Sequence, residues 1–239
     1  MSGHSKWATI HRKKDLLDQA RGKVFQKIAK EIYVAARGTD GNPDHNASLR
    51  MVLEKAKAAN MPKDNIQKAI DKATGASGGE DFEAIRYEGY GPAGVAVMVD
   101  CLTDNRNRTA SQVRAAFTKR GGNLGTDGSV SYMFQRKGVI VTDKTISEDD
   151  VMMTAIDAGA DDFNVTDEGY EIYTSPENFL KVKEALEGIG VTEFLTSEVT
   201  FVSNMKTSVS EEDSEKVYGL IEALEEIDDV QDVYTNLDE

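Results

Sequence analysis

The sequence predicts an α+β protein: an N-terminal three-helix domain with a basic arm, then two ferredoxin-like α/β domains, one inserted in the other. Three observations lead to this. Apolar residues recur at three- and four-residue spacings as far as Gly75, after which short strands alternate with helices. The glycine-rich stretch GASGG, residues 75–79, reads as a flexible linker at the change. Beyond it, one complete β-α-β-β-α-β set lies between two incomplete pieces, which form a second such unit only if the first interrupts it. At 239 residues the chain is long enough for two or three compact units, and a hydrophobic content of 39% suffices for small cores.

Residues 21–37, RGKVFQKIAKEIYVAAR, place Val24, Phe25, Ile28, Ala29, Ile32 and Ala36 on one side of a helix. At about 100° per residue, Lys23, Lys27, Lys30 and Arg37 share the opposite side, so the helix is expected to be basic on its outer face. The break GTDGNPDHN precedes a second helix from Ala47, with Leu49, Val52, Leu53 and Ala56 inward. MPK breaks the pattern again, and a third helix carries Ile66, Ala69, Ile70 and Ala73. Helices this short do not stand alone, so residues 21–77 are expected to pack as one bundle with the arm, residues 1–20, outside it.

After the linker, strands are expected at FEAIRYEGY, GVAVMVDCL and SVSYMFQ, with a helix over about residues 107–120 between the last two. The complete set follows: strand GVIVTD, helix SEDDVMMTAIDAGA, hairpin DFNVT with GYEIYTS, helix ENFLKVKEALEGIG and strand VTEFLTSEVTFV. A strand near MKTSVS, a helix EEDSEKVYGLIEALEEI and a strand VQDVYTNL end the chain. The expected domains are therefore 78–136 with 204–239, discontinuous, and 137–203, inserted.

The net charge of −14 is unevenly distributed. Residues 1–75 carry 15 Lys+Arg against 8 Asp+Glu, a balance of +7, which leaves 13 against 34, or −21, for residues 76–239. The acidic part reads as a solvated surface; the basic end could hold a polyanion that the rest of the chain repels. No run approaches the roughly eighteen apolar residues of a membrane span, and the charged start lacks a signal peptide's apolar stretch, so a cytoplasmic protein without a membrane partner is expected. Cys101, the one cysteine, lies in the apolar run GVAVMVDCL and reads as a buried small hydrophobe.

The densest motif is CLTDNRNRTASQVRAAFTKRGGNLGTDGS. Asp104, Asn105, Arg106, Asn107, Arg108 and Thr109 fall where a strand ends and a helix begins, a junction that suits phosphate through outward N–H groups and arginine forks. An ordinary capped helix with solvated arginines accounts for the same residues equally well. Arg114, Lys119 and Arg120 extend the basic edge and favour the anion site modestly. GGNLGTDGS lacks the spacing of a phosphate-binding P-loop and reads as a turn, as does YEGYGPAG. His4, His11 and His45 match no metal spacing and read as surface residues, so neither metal nor cofactor is expected. Asp149 and Asp150 open a helix, where its dipole explains them, and the C-terminal acidic runs read as solvated helix faces. With no nucleophile-and-base constellation evident, the chain is expected not to be an enzyme. Trp7 in the arm either packs back on the bundle or stacks on a base while Lys6, Arg12, Lys13 and Lys14 meet phosphates.

These residues together resemble the YebC family, which comprises YebC/PmpR-type regulators and the mitochondrial translational activator of cytochrome oxidase. The resemblance spans the chain and is carried by GHSKW at 3–7, KAANMPKDNI at 57–66, RYEGYGPAGVAV at 86–97, and CLTDNRNRT through GGNLGTDGSVSYMF at 101–134. It implies the three-domain fold and a non-enzymatic factor in gene expression. Some members are described as DNA-binding transcriptional regulators; others are ribosome-associated factors that relieve stalled peptide-bond formation, notably at consecutive prolines. The basic arm suits irregular or single-stranded RNA, so ribosomal RNA or tRNA and the ribosome are the expected partners. The alternative is DNA, read by helices 47–60 and 63–74 as a helix-turn-helix. A protein-binding scaffold would leave the basic arm without a role. The expected nucleic-acid contacts are Gly3, His4, Ser5, Lys6, Trp7, His11, Arg12, Lys13, Lys14, Lys23, Lys27, Lys30, Asn105, Arg106, Asn107, Arg108, Thr109 and Arg114.

Overall fold

The computed structural model describes residues 21–75 and 81–238. Among them are seven helices and two four-stranded sheets, in two compact units: residues 21–75, 81–135 and 202–238 form one, and Arg136–Phe201 the other.

The first unit begins with the helical bundle. Helix α1 (Arg21–Ala36) buries Ile28, Ile32, Tyr33 and Ala36, the stripe its spacing predicts, and ends before Gly38, whose φ of 72° stops the helix. Helix α2 (Ala47–Ala58) starts at Asn46, which accepts from the N–H of Leu49 at 3.0 Å and donates its amide to the Ala35 carbonyl at 2.7 Å. One side chain thus caps α2 and fixes it against the end of α1. Pro62 precedes α3 (Lys63–Thr74), and Leu49, Ala56, Met61, Ala69 and Ala73 complete the core.

The same unit holds the first sheet, ordered β3-β1-β2-β8, from β1 (Glu83–Tyr90), β2 (Ala96–Thr103), β3 (Asn123–Leu124) and β8 (Val230–Thr235). Every pairing is antiparallel. Helices α4 (Arg106–Lys119) and α7 (Glu211–Glu225) supply Val113, Phe117, Leu220 and Leu224 to a core against Val97, Val99 and Val233. The order is that of a ferredoxin-like sheet, but β1 precedes β2 in the chain, where the usual connectivity would bring that strand between β3 and α7. The slot assigned from sequence to MKTSVS is therefore already filled. That segment makes only the isolated bridge Thr207–Leu237, and Asn236 pins it by donating to the Met205 carbonyl and the Thr207 hydroxyl.

The expected strand SVSYMFQ is also corrected. The buried carboxylate of Glu88 accepts from the N–H groups of Gly128, Val130 and Ser131 at 2.8–3.0 Å, taking donors that a strand would offer to a neighbour. Residues 131–133 form a short 3₁₀ turn, and the edge of the sheet is the two-residue β3 instead. Gly89 permits that pairing, because a Cβ there would lie 2.6 Å from the Asn123 carbonyl oxygen.

In the second unit the strands β4 (Phe134–Thr142), β5 (Ala160–Val165), β6 (Tyr170–Thr174) and β7 (Phe194–Ser203) have the order β5-β6-β4-β7, the full ferredoxin-like arrangement. β4 begins at Phe134, so the end of SVSYMFQ and the whole of GVIVT share one strand. Helices α5 (Glu148–Ala158) and α6 (Phe179–Gly188) pack Val151, Ala155, Phe179, Val182 and Leu186 onto Ile140 and Ile172. Ser147 caps α5 by accepting from the Asp150 N–H, which accounts for Asp149 and Asp150 as first-turn acids.

Candidate nucleic-acid interface

Of the expected contacts, Gly3, His4, Ser5, Lys6, Trp7, His11, Arg12, Lys13 and Lys14 lie outside the described residues. The others fall in two places: one flank of α1, and the N-terminus of α4.

On α1 the basic outer face expected from sequence is partly engaged by the protein itself. Lys23 is exposed, but Lys27 donates to the Glu225 carbonyl at 3.0 Å, and Lys30 donates to the Asp228 carbonyl at 2.9 Å and the Asp229 carboxylate at 3.4 Å. Arg37 pairs with Asp81. Helical angles show which face the bundle leaves uncovered, yet not that the turn between α7 and β8 lies against it. On α2, Lys55 likewise bridges Glu31 at 2.8 Å and Asp232 at 3.1 Å.

At α4 the helix carries a side-chain cap. Asn105 accepts from the Arg108 N–H at 3.1 Å, and the partly exposed Arg108 guanidinium donates to Asp229 at 2.6 and 3.2 Å and to Asp104 at 2.8 Å. Thr109 is buried, and its hydroxyl donates to Asp229 at 2.9 Å; the Thr103 hydroxyl reaches the same oxygen at 3.2 Å. Asp229, only 5% exposed, is the centre of this cluster, where sequence suggested a solvated acid. Burial alone would raise its carboxyl, but hydrogen bonds from Arg108 and Thr109 and the charge of Lys30 outweigh it and hold the group below the ordinary carboxylate range. The same contacts raise the Arg108 guanidinium. Thr109 is thus enclosed by the protein and Arg108 is ion-paired at its surface, while Arg106, in a rim ion pair with Glu83 at 3.1 Å, and the exposed Asn107 and Arg114 face solvent.

A cleft of about 360 Å³ opens between α1, α3 and the residue leading into β1. Lys23, Lys27, Lys30 and Lys72 line it with Gln26, Tyr33, Phe82 and Asp228. Tyr33 and Phe82 meet edge to face, 5.8 Å between centroids; the Lys30 ammonium lies 5.6 Å from the Phe82 centroid and that of Lys72 5.7 Å from the Tyr33 centroid. The aromatic pair is not evident from sequence, because Tyr33 reads as one more bundle residue and Phe82 as the start of a strand. Elsewhere on the bundle Arg50, Lys57, Lys63 and Lys68 are exposed.

The remaining motifs are structural. Cys101 is buried, and burial, with the nearby acids Asp100 and Asp229, pushes its thiol up to about 12. His45 is exposed and hydrogen-bonds Asp40 at 2.8 Å, which raises the imidazole above its ordinary value. Among the described residues no group of His, Cys, Asp and Glu is arranged to hold a metal, and no helix is long and apolar enough to cross a membrane.

Comparison with known proteins matches residues 5–76 to the TACO1/YebC N-terminal domain and residues 82–237 to the TACO1/YebC second and third domain. A probable transcriptional regulatory protein of Geobacillus kaustophilus is 56% identical, over 100% of this chain and 98% of its own length. The Bacillus subtilis protein YrbC, also named a probable transcriptional regulatory protein, is 50% identical over 99% of each. The crystal structure of a conserved hypothetical protein from Aquifex aeolicus superposes with a TM-score of 0.79 at 48% identity, covering 92% of this chain and 91% of that one.

Proposed function

The chain belongs to the TACO1/YebC family, and from that premise we propose that it is a non-enzymatic nucleic-acid-binding factor of gene expression, acting in the cytoplasm on the ribosome to relieve stalled peptide-bond formation, as at runs of proline. The observation that carries the proposal is the division of charge, +7 over residues 1–75 against −21 over the rest. A polyanion is attracted to one end and repelled by the other, so it is held in one orientation. The exposed Lys23, Lys57, Lys63 and Lys68 of the bundle surface support this. Ribosomal RNA or tRNA is the favoured target, because a basic arm adapts to irregular RNA better than to a regular groove.

One observation favours a second reading. The relatives are named as probable transcriptional regulators, and α2 and α3 are joined by only four residues with Lys63, Gln67, Lys68 and Lys72 exposed on the second helix, as a DNA-reading pair would require. Crosslinking in cells followed by sequencing of the bound nucleic acid, together with gradient sedimentation, separates the two. Reads in ribosomal RNA or tRNA with co-sedimentation support the first. Reads confined to promoter DNA, with the protein absent from ribosomal fractions, overturn it in favour of the second.

A further inference from the structure

Between Asn105 and Thr126 the chain carries five cations and no carboxylate, inside a region, residues 76–239, whose balance is −21. These residues are α4 and the turn that follows it. Arg108 is paired with Asp229 and Asp104, and Arg106 with Glu83, but Arg114, Lys119 and Arg120 are exposed and, among the described residues, form no ion pair. The three span about 9 Å of helix axis. The outer face of the helix is low: its exposed side chains are Asn107, Ser111, Ala115 and Thr118, and the hydroxyls of Ser111 and Thr118 fold back to donate to the Asn107 and Arg114 carbonyls at 2.9 Å. At about 100° per residue these four share one sector, with Arg114 on one flank and Lys119 on the other. The turn continues the low surface. Gly121, at φ 77°, and Gly125 and Gly128 are exposed, and the Glu88 carbonyl and carboxylate accept from the Gly125 and Gly128 N–H groups at 2.8 and 3.0 Å, which fixes the turn.

A low cationic face without an aromatic side chain suits a sugar–phosphate backbone better than a base. Helix α7 limits what fits on it. It packs beside α4, Leu220 and Leu224 with Val113 and Phe117, and carries the exposed carboxylates Glu215 and Glu222. Arg120 lies beside Gly219 of that helix, where a Cβ would be 3.7 Å from its Nη1, and neither glutamate pairs with it. Packed helices lie about 8–10 Å apart and the major groove of a duplex is about 12 Å wide, so a duplex on α4 would set its second strand over those acids. A single strand avoids them. We propose that the outer face of α4, with Arg114, Lys119 and Arg120, is a contact surface for the backbone of an unpaired RNA strand. The proposal rests on the nucleic-acid function given above and adds a second surface to that of the basic bundle. Asp229 ties the two together, since it accepts from Arg108 of α4 and from Lys30 of α1. Backbone contacts carry no sequence information, so strands of different bases are held alike.

The test uses the full chain at low salt with fluorescein-labelled RNA 12-mers of uridylate and of adenylate, and a DNA duplex of mixed sequence and the same length. Arg114→Gln with Lys119→Gln should weaken binding of both strands about fivefold or more, by the same factor for each, with the melting temperature unchanged. The salt slope should fall by about 1.4, or about 0.7 for each single-strand phosphate no longer neutralised. Arg114→Lys with Lys119→Arg keeps both charges and should bind as the unaltered chain does; a loss as large as that of the glutamine pair overturns a role through charge. The control Lys144→Gln with Lys181→Gln, exposed residues of the second unit, should change affinity less than about twofold. Equal losses from the α4 and control pairs, or none from the α4 pair, overturn the α4 surface while nucleic-acid binding by the unaltered chain stands. A loss confined to one of the two strands overturns the backbone contact. The duplex should bind more weakly than either strand; tighter duplex binding that the α4 pair weakens as much overturns the RNA assignment in favour of DNA. An unaltered chain that binds none of the three overturns the nucleic-acid function, and this surface with it.

Discussion

At the N-terminus of α4, Arg106 and Arg108 meet Glu83, Asp104 and Asp229; in the cleft between α1 and α3, Lys23, Lys27, Lys30 and Lys72 lie beside Tyr33, Phe82 and Asp228, and Lys30 also pairs with Asp229. Both clusters are rich in cations, and the sequence marks residues of both as expected nucleic-acid contacts. The acid that distinguishes them most is Asp229, 121 residues from Arg108, which accepts from Thr103, Arg108 and Thr109 around α4 and, more distantly, from Lys30 at the cleft. Availability to an anion therefore depends on which carboxylates the fold delivers, and the turn before β8 buries Asp229 against α4 and Lys30 while leaving Asp228 exposed.

The largest expected effect follows from removing that carboxylate. Asp229→Ala leaves Arg108, Lys30 and two hydroxyls without their shared acceptor and should cost about 2–4 kcal/mol in urea unfolding. Asp228→Ala should change stability by less than about 0.5 kcal/mol and strengthen strand binding about twofold. Equal destabilisation by the two would erase the distinction between the clusters. A smaller contrast separates the arginines: Arg108→Ala removes the ion pair to the buried Asp229 and should lower the urea midpoint, whereas Arg106→Ala, with its side chain 65% exposed, should leave it unchanged.

Acid titration sharpens the comparison further. Asp229 and Glu88 are both held below the ordinary carboxylate range, Glu88 because three backbone N–H groups outweigh the effect of its burial. Their stabilisation is full above the unfolded value of about 4 and is lost as pH falls through the lower folded value. Asp229→Asn should therefore flatten the acid limb of a stability–pH curve, and Asp228→Asn should leave it unchanged. The smallest effect concerns Cys101: Ellman's reagent should react with it only as fast as the unit opens, and faster in Asp229→Ala.

Much of this was legible in the sequence. The stripe Ile28, Ile32, Ala36 and the strand-helix alternation of residues 138–202 follow from apolar spacing, which the structure keeps because each element buries one face. MKTSVS and SVSYMFQ misled because their β-prone side chains say nothing about which strand already fills a slot, or that Glu88 takes the backbone donors. Lys27, Lys30, Arg108 and Thr109 looked available because their partners arrive from beyond residue 224. Lys72 was visible only as a polar helix residue, since nothing near it in sequence indicates Tyr33 beneath or Phe82 beside it.

The connectivity of the first sheet has a consequence for the protein during its own synthesis. β2 pairs with β8, Val97 opposite Thr235 and Cys101 opposite Val230, so one edge of β2 stays open until the last strand leaves the ribosome. Arg136–Phe201 is continuous and can close earlier. At about 5–20 residues per second, the apolar edge carrying Val97, Val99 and Cys101 is without its partner for on the order of ten seconds, a window in which neighbouring nascent chains compete for it. Pulse labelling of the Cys101 thiol on arrested chains of increasing length would time that closure, and slower elongation would lengthen the hazard in proportion.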